Sequence, residues 1–446
     1  MLVSPTHPIQ PRASFIGRVQ EQRQFMVVLT GLLDHHRRWQ RAAQDLGPTF
    51  DPFQGPRDES YASIFLLHGI GGMGKSWLTR PCLWFAREKP HDPPILTLYD
   101  DVSLGAPVLE PIHLLERLHA QLADAGYEAE LKAYQQTKAD LPLLVERVAR
   151  YQFEHRDAWD KLLDLAAGLV ARDEPEVGYR SFAESSLAHT HAVGAEVQGR
   201  GAATLDRAYD LLLEKMQSDG QITPVETALF RNPPAALAEP LIGALYRLVS
   251  QRPIVIGLDN LEIIVPLEPF IRDCLVLPSD RAPIIWLLTG RYNLADERVV
   301  EINGQERIYK GYRDLLNENP PIVWDLSVFG DADLRDYIEV EAERRYLEVS
   351  VDGELIEAVK ATSSGVPLVV EMVVDALFSL GREAFLREFA LEERGIIASE
   401  RLDQITERFL RYCLTNPADL EQVQAMALLR KGADEAALST LWALPA

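Results

Sequence analysis

Residues 69–76 constrain this chain more than any other segment, because they form a glycine-rich turn, Gly-Ile-Gly-Gly-Met-Gly-Lys-Ser. An apolar run at residues 64–67 precedes the turn and is typical of a buried strand. Helical periodicity follows over residues 77–89, where Pro81 is expected to kink the helix. Glycines allow the positive φ angles of a tight strand-to-helix turn. The sequence therefore predicts an α/β fold built around this turn.

The turn also matches the pattern G-x-x-x-x-G-K-[ST], whose backbone N–H groups converge on phosphate oxygens. Lys75 is expected to reach the β- and γ-phosphates of a nucleotide, and Ser76 to ligate Mg²⁺ through its hydroxyl. A chance match in a glycine-rich turn is the alternative, which the flanking strand and helix argue against. The predicted nucleotide-binding residues of this segment are Gly69, Gly71, Gly72, Met73, Gly74, Lys75, Ser76 and Trp77.

A second strand-like run, residues 253–258, ends in the acid Asp259. A carboxylate there could hold Mg²⁺ through water beside the phosphates, or could belong to a polar turn after a core strand. The next residue is Asn260 rather than a second acid. Glu262 could polarise the attacking water, or could equally be a solvated residue. Slow hydrolysis would follow if no base is well placed.

Two further motifs follow, of which the first suggests a contact with the same ligand and the second is explained by the start of a helix. Residues 283–289 are strand-like and lead into Arg291, whose guanidinium suits a γ-phosphate at the carboxyl end of a strand. A surface arginine capping the strand is the alternative. Residues 363–370 interrupt a helical region, and Pro367 fits the first turn of the helix that follows.

The remaining pattern predicts how the chain is organised. Residues 1–14 read as an extended arm, and residues 94–99 and 322–326 as strands. Residues 108–250 look almost wholly helical, as does the chain beyond 330. A mostly parallel sheet with helices, followed by a helical part, is therefore expected.

Composition restricts the classes of partner. Acidic residues number 67 against 45 basic ones, so the formal net charge is -22. Such a surface repels phosphate backbones and anionic lipid, which argues against whole-chain binding to nucleic acid or membrane. The three cysteines are far apart, and no apolar secretory segment opens the chain, so we expect reduced thiols in a cytoplasmic protein.

The order of these motifs resembles the STAND class of signal-transduction ATPases, which is similar to the NB-ARC cores of plant resistance proteins and animal apoptosome adaptors. The bacterial type is the most similar. Residues 324–339 fit the segment that opens the helical domain of the class, and residues 421–442 resemble the start of its winged helix. The motifs that carry the resemblance are FIGR at 15–18, GIGGMGKS at 69–76, IVIGLDNLE at 254–262, IIWLLTGR at 284–291 and SSGVPLVVEM at 363–372.

The resemblance implies a domain order and a set of contacts. In the class, the residues matching Gly17 and Arg18 lie near the adenine and ribose. The residue matching Pro367 packs on the adenine, and the one matching Arg291 senses the γ-phosphate. The implied domains are a P-loop domain at 15–325 with a helical insertion at about 108–250, a helical domain at 326–400 and an incomplete winged helix at 401–446.

The resemblance further implies a molecular switch. ADP holds the domains closed, and ATP with Mg²⁺ favours an open form that self-associates and hydrolyses ATP slowly. Lys75 and Asp259 are 184 positions apart, which is why an insertion is inferred. The expected effector and sensor segments are not recognised, so the chain could be a fragment, or an unknown sensor or effector protein could act in trans.

Two other functions stay open on the sequence. One is an AAA+-like motor or loader acting on DNA, since a winged helix often binds nucleic acid. The other is a scaffold that holds a nucleotide and hardly hydrolyses it. The activating signal and the output are not specified by the residues.

Overall fold

The computed structural model describes residues 18–51, 53, 55–56, 63–69, 73–88, 91–102, 110–170, 202–261, 267–302, 305–316 and 320–389. The strands are β1 (Ile64–His68), β2 (Leu96–Asp101), β3 (Ile254–Asp259), β4 (Ile284–Gly290), β5 (Arg298–Ile302), β6 (Gln305–Tyr309) and β7 (Ile322–Asp325). Among these residues, the α-helices of at least four residues are α1 (Val19–Leu46), α2 (Lys75–Glu88), α3 (Pro111–Asp124), α4 (Lys132–Glu154), α5 (Arg156–Val170), α6 (Ala202–Ser218), α7 (Pro224–Arg231), α8 (Pro233–Leu248), α9 (Tyr312–Leu315), α10 (Asp331–Arg344), α11 (Gly353–Ser363), α12 (Pro367–Leu380) and α13 (Arg382–Phe389).

Five strands form one sheet in the order β2-β3-β4-β1-β7, and every neighbouring pair is parallel. All five carboxyl ends therefore lie at the same edge of the sheet. Every residue of β3 and β4 is buried, as expected for strands covered on both faces. The sheet and its flanking helices confirm the predicted α/β class.

The two faces of the sheet carry different helices. Phe65 and Leu67 of β1 pack with α1 and α2 on one face. Ile64 and Leu66 point to the other face, where they join a core that includes α3 and α8. This alternation follows from the two-residue period of a strand.

The connections after β1 and β4 leave the sheet on opposite faces. After β1 the chain enters α2, whose Leu78 packs on the α1 side. After β4 it contributes Leu294 and Tyr312 to the other core. Because β1 and β4 are neighbours, their carboxyl ends bound the kind of crevice where open α/β sheets bind ligands.

Two helical groups lie beyond the sheet. One apolar cluster joins α4 to α7 and includes Leu144, Trp159 and Leu212. A second joins α10 to α13 and includes Leu334 and Phe385. By contrast, α3 and α8 lie within the predicted insertion of 108–250 but pack directly on the sheet.

Several elements differ from the sequence-based expectation. Helical periodicity in the sequence covers residues 15–33, whereas helix α1 runs on to Leu46, because the buried His35, His36 and Trp39 continue its inner face although histidine is not an apolar residue. Strand β2 includes both acids at its end, because Asp101 still pairs with β3. The hairpin β5–β6 was not predicted, and the short helix α7 was not singled out within the stretch of 108–250 that was predicted to be helical.

Among the described residues, no helix combines the length and the apolarity that crossing a membrane requires.

Candidate functional site

The glycine-rich turn lies where β1 ends and α2 begins. Gly74 has a φ of 82°, a left-handed conformation that glycine adopts without strain, and α2 starts at the next residue. Met73 is 3% exposed and anchors the turn in the core with α1 and α2. The ammonium of Lys75 donates to the carbonyl oxygen of Gly69 at 2.8 Å, so this side chain folds back over the turn.

The amino-terminal end of α2 faces the carboxyl edge of the sheet. The first turn of a helix directs its N–H groups outward along the axis, and the helix dipole adds partial positive charge there. Ser76 is half-buried in this first turn, and Trp77 is exposed. Together with Lys75, this end of α2 provides donors and positive potential at one place.

The carboxylate of Asp259 is held by three donors at the end of β3. Asp259 is fully buried. Its Oδ1 accepts from the backbone N–H of Asn260 at 2.9 Å and from the Thr289 hydroxyl of β4. Its Oδ2 accepts from the Tyr99 hydroxyl of β2 at 3.1 Å. Three strand ends thus fix this acid in one orientation.

Tyr99 connects Asp259 to an arginine of α2. The guanidinium carbon of Arg80 lies 5.9 Å from the centre of the Tyr99 ring. Partial burial opposes the charge of Arg80, but Tyr99, Asp259 and Asp101 together raise its pKa. Burial, and then the nearby Asp259, raise the pKa of Tyr99, so the phenol stays protonated and donates to the carboxylate.

Asn260 links the ends of β2 and β3. Its backbone is left-handed, with a φ of 63°, and its side-chain amide donates to Asp101 Oδ1 at 2.8 Å. Asp101 and Asp259 are register partners in the parallel pair β2–β3. The two carboxylates therefore lie side by side at the edge, with Asn260 between their side chains.

Asp100 projects to the opposite face of β2. It is 5% exposed, and its Oδ2 lies 2.9 Å from Nε of Arg117 on α3. Burial raises the pKa of Asp100 to about 6; Arg117 opposes this shift and Asp101 adds to it. Adjacent acids in β2 thus have different partners, because successive side chains of a strand alternate in direction.

The end of β4 lies between the turn and Asp259. Arg291 follows the last residue of β4 and is exposed. Since neighbouring strands are about 4.8 Å apart, β1 and β3 are about 10 Å apart across β4. The structure therefore brings Lys75, Asp259 and Arg291 to one edge of the sheet.

Arg18 and the turn that precedes Pro367 both contact a second group of residues around Phe329. Arg18 donates to the carbonyl oxygen of Ser327, and its guanidinium carbon lies 5.8 Å from the centre of the Phe329 ring. The Phe329 N–H donates to the carbonyl oxygen of Gly365 at 2.7 Å, two residues before Pro367 begins α12. The start of α1 and the turn before α12 thus share one neighbour.

Residues 326–329 connect this second group to the turn after β1. The Leu326 N–H donates to the carbonyl oxygen of His68 at 2.9 Å. Val366 packs against the core of α1 and α2 as well as against the cluster of α10–α13. The helical group is thereby attached beside the candidate site.

Some predicted site residues fall outside the described part of the chain. They are Gly17, Gly71, Gly72 and Glu262, and the predicted winged helix at 401–446 also lies outside it.

The structure adds residues that the sequence did not single out. Tyr99, Thr289 and Asn260 contact Asp259 directly, and Asp101 is one hydrogen bond further away. The available signal was position, since each lies at the carboxyl end of a strand or just after it. Which acid each would contact depends on strand order, and local sequence does not show that order.

No protein-family model matches the chain, and no curated protein matches it.

The donor set at this edge suits a phosphate-rich ligand with Mg²⁺. Among the described residues, no cluster of three or more histidines, cysteines and acids could hold a metal. Mg²⁺ at nucleotides usually takes one or two protein ligands, and phosphate oxygens and water complete its octahedron. Ser76 and Asp259 fit such a pair. Both oxygens of Asp259 also accept hydrogen bonds, which would hold its carboxylate in a fixed orientation toward such an ion.

Proposed function

We propose that the chain is a nucleotide-dependent switch of the STAND type, which binds ADP in one state and ATP with Mg²⁺ in another. The observation that supports this best is the pairing of two features at one edge. Lys75 and the start of α2 lie beside β1, the buried Asp259 ends β3, and β4 lies between these two strands.

The proposed roles follow from the chemistry of each group. Lys75 and the N–H groups of the first turn of α2 bind the β- and γ-phosphates. Ser76 and Asp259 hold Mg²⁺, which neutralises charge on the phosphates. Arg291 contacts the γ-phosphate and so distinguishes ATP from ADP.

Switching requires that the phosphate site influence another part of the molecule. In this proposal Arg18 and Pro367 contact the base and ribose at the group around Phe329. Residues 326–329 connect that group to the turn after β1. A ligand can then bias the position of α10–α13 by its different contacts in two states. Self-association of the ATP form, and an unknown sensor or effector protein, belong to the same proposal.

One observation favours a second function, a scaffold that binds a nucleotide with negligible hydrolysis. The residue after Asp259 is Asn260, whose carboxamide cannot take a proton from water and whose amide already donates to Asp101. Steady-state release of phosphate from ATP separates the two functions. ATP turnover by the wild type that is lost in Lys75→Ala supports the switch. Nucleotide binding by the wild type without turnover supports the scaffold.

The test of the proposed function is a calorimetric titration with ATP and with ADP in the presence of Mg²⁺. A charged hydrogen bond contributes about 1.5–3 kcal/mol, so Lys75→Ala should weaken binding roughly 10- to 150-fold. Lys360→Ala is the matched control, because this exposed lysine on α11 pairs with Asp331 of α10. Wild-type protein that binds neither nucleotide would refute the proposal.

A further inference from the structure

In the described part of the candidate site, the position directly after Asp259 carries no acid that could activate the attacking water. Asn260 follows Asp259, and a carboxamide nitrogen is a donor that cannot accept a proton. Its side chain is turned to Asp101, which accepts its hydrogen bond at 2.8 Å. This hydrogen bond places the carboxylate of Asp101, on the neighbouring strand β2, beside the position that lacks an acid.

We propose that Asp101 is the general base for ATP hydrolysis in this chain. The inference rests on the proposed function and adds to it the residue that activates water. Asp101 ends β2, lies in register with Asp259 and is half-buried. It thus combines a position at the ligand edge with access to solvent.

Asp259 is unsuited to the same role. It is fully buried, and three donors from Asn260, Thr289 and Tyr99 occupy its two oxygens. These hydrogen bonds hold the carboxylate in one orientation, and the residue is 0% exposed to the solvent that would have to receive the proton. Asp259 is therefore an orienting and metal-holding acid.

Asp100 cannot be the general base, because its side chain points away from the candidate site. Its side chain lies on the other face of the sheet, where it pairs with Arg117 of α3. Asp101 has the opposite orientation, toward Asn260 and the group formed by Asp259 and Arg80. Of the adjacent acids in β2, only Asp101 faces the candidate site.

The proposed step balances as follows. The water oxygen attacks the γ-phosphorus and forms a new phosphorus–oxygen bond, while the bond from that phosphorus to the β–γ bridging oxygen breaks. One water proton passes to the carboxylate of Asp101, and ADP leaves with the electron pair of the broken bond. Asn260 keeps Asp101 oriented by donating to Oδ1, and the proton returns to solvent after phosphate release.

The test compares ATP affinity with single-turnover hydrolysis in Asp101→Asn. General base catalysis contributes about 10²- to 10⁴-fold, so the rate should fall by that factor while the Kd for ATP stays within about three-fold. Asp325→Asn is the matched control. This acid ends β7 at the same edge, its side chain is 80% exposed, and its loss should leave the rate within about two-fold. Asp101→Ser replaces Asp101→Asn, with the same expected result, if the asparagine variant does not fold.

Three results overturn this assignment while leaving nucleotide binding intact. The first is wild-type hydrolysis in Asp101→Asn. The second is a loss of hydrolysis in Glu262→Gln that Asp101→Asn does not show. The third is wild-type protein that binds ATP but shows no single-turnover hydrolysis. Wild-type protein that binds no nucleotide refutes the proposed function itself, so the two failures are distinguishable.

Discussion

Single residues organise the edge of the sheet through hydrogen bonds between segments that are distant in sequence. Asp259 is oriented by Tyr99, 160 positions earlier, and by Thr289, 30 positions later. Arg18 contacts Ser327 across 309 positions. Because each bond fixes one side chain against a different strand or turn, the substitution of a single residue is expected to have local and separable effects.

Gly365 is a position where a side chain would disturb the turn before α12. Its φ is 71°, and an added Cβ would lie 2.7 Å from the Phe329 carbonyl oxygen. Gly365→Ala should therefore destabilise the chain by about 1–3 kcal/mol. Gly353→Ala is the control, since a Cβ there meets nothing within 4 Å, and it should be neutral or slightly stabilising. Equal melting temperatures for the two variants would contradict the prediction.

His36 of α1 makes stability depend on pH. It is fully buried, and burial, with smaller effects of its neighbours, lowers its pKa to about 4. The unfolded chain takes up this proton near pH 6.5, so folding loses about 1.4 kcal/mol per pH unit as pH falls from about 6.5 to about 4. Urea unfolding of wild type and His36→Leu across this range gives the free energy of unfolding at each pH. When this free energy is plotted against pH, the slope should be shallower by that amount in the variant. Parallel curves would contradict the assignment.

At the scale of elements, the strands were predictable and their pairing was not. The runs that became β3 and β4 are apolar throughout, and every residue in them is buried. The hairpin β5–β6 has its own sequence signal, an Asn303-Gly304 dipeptide between two strand-like runs, which is a common hairpin turn sequence. Local patterns contain no information about strand order, so the contacts of Tyr99 and Asp101 with β3 could not be derived from them.

A buried ion pair fastens the hairpin to the segment after β3. Arg298 of β5 lies 3.0 Å from Glu268, whose side chain is 3% exposed. Glu268→Ala would leave a largely buried guanidinium without its acid, and should destabilise the chain by about 3–5 kcal/mol. Asp296→Ala breaks an exposed pair with Arg313 and should cost no more than about 1 kcal/mol. Chemical denaturation measures both, and similar costs would count against the difference in burial.

At the scale of the whole molecule, the helical groups are attached to an α/β sheet whose carboxyl edge carries the candidate site. The cluster of α10–α13 meets the sheet through Val366 and residues 326–329. The glycine-rich turn and Asp259, which define the candidate site, are both visible in the sequence. The route from that site to the helical group did not, because it depends on Phe329 packing between Arg18 and Gly365.

The central claim, that this edge binds a nucleotide, is tested most directly by the contents of the purified protein. Freshly purified chain is denatured, the protein is removed, and the released nucleotide is measured by chromatography against the protein concentration. We predict close to one ADP per chain, and markedly less from Lys75→Ala. Protein that releases no nucleotide, and whose melting temperature neither ADP nor ATP raises, would contradict the account.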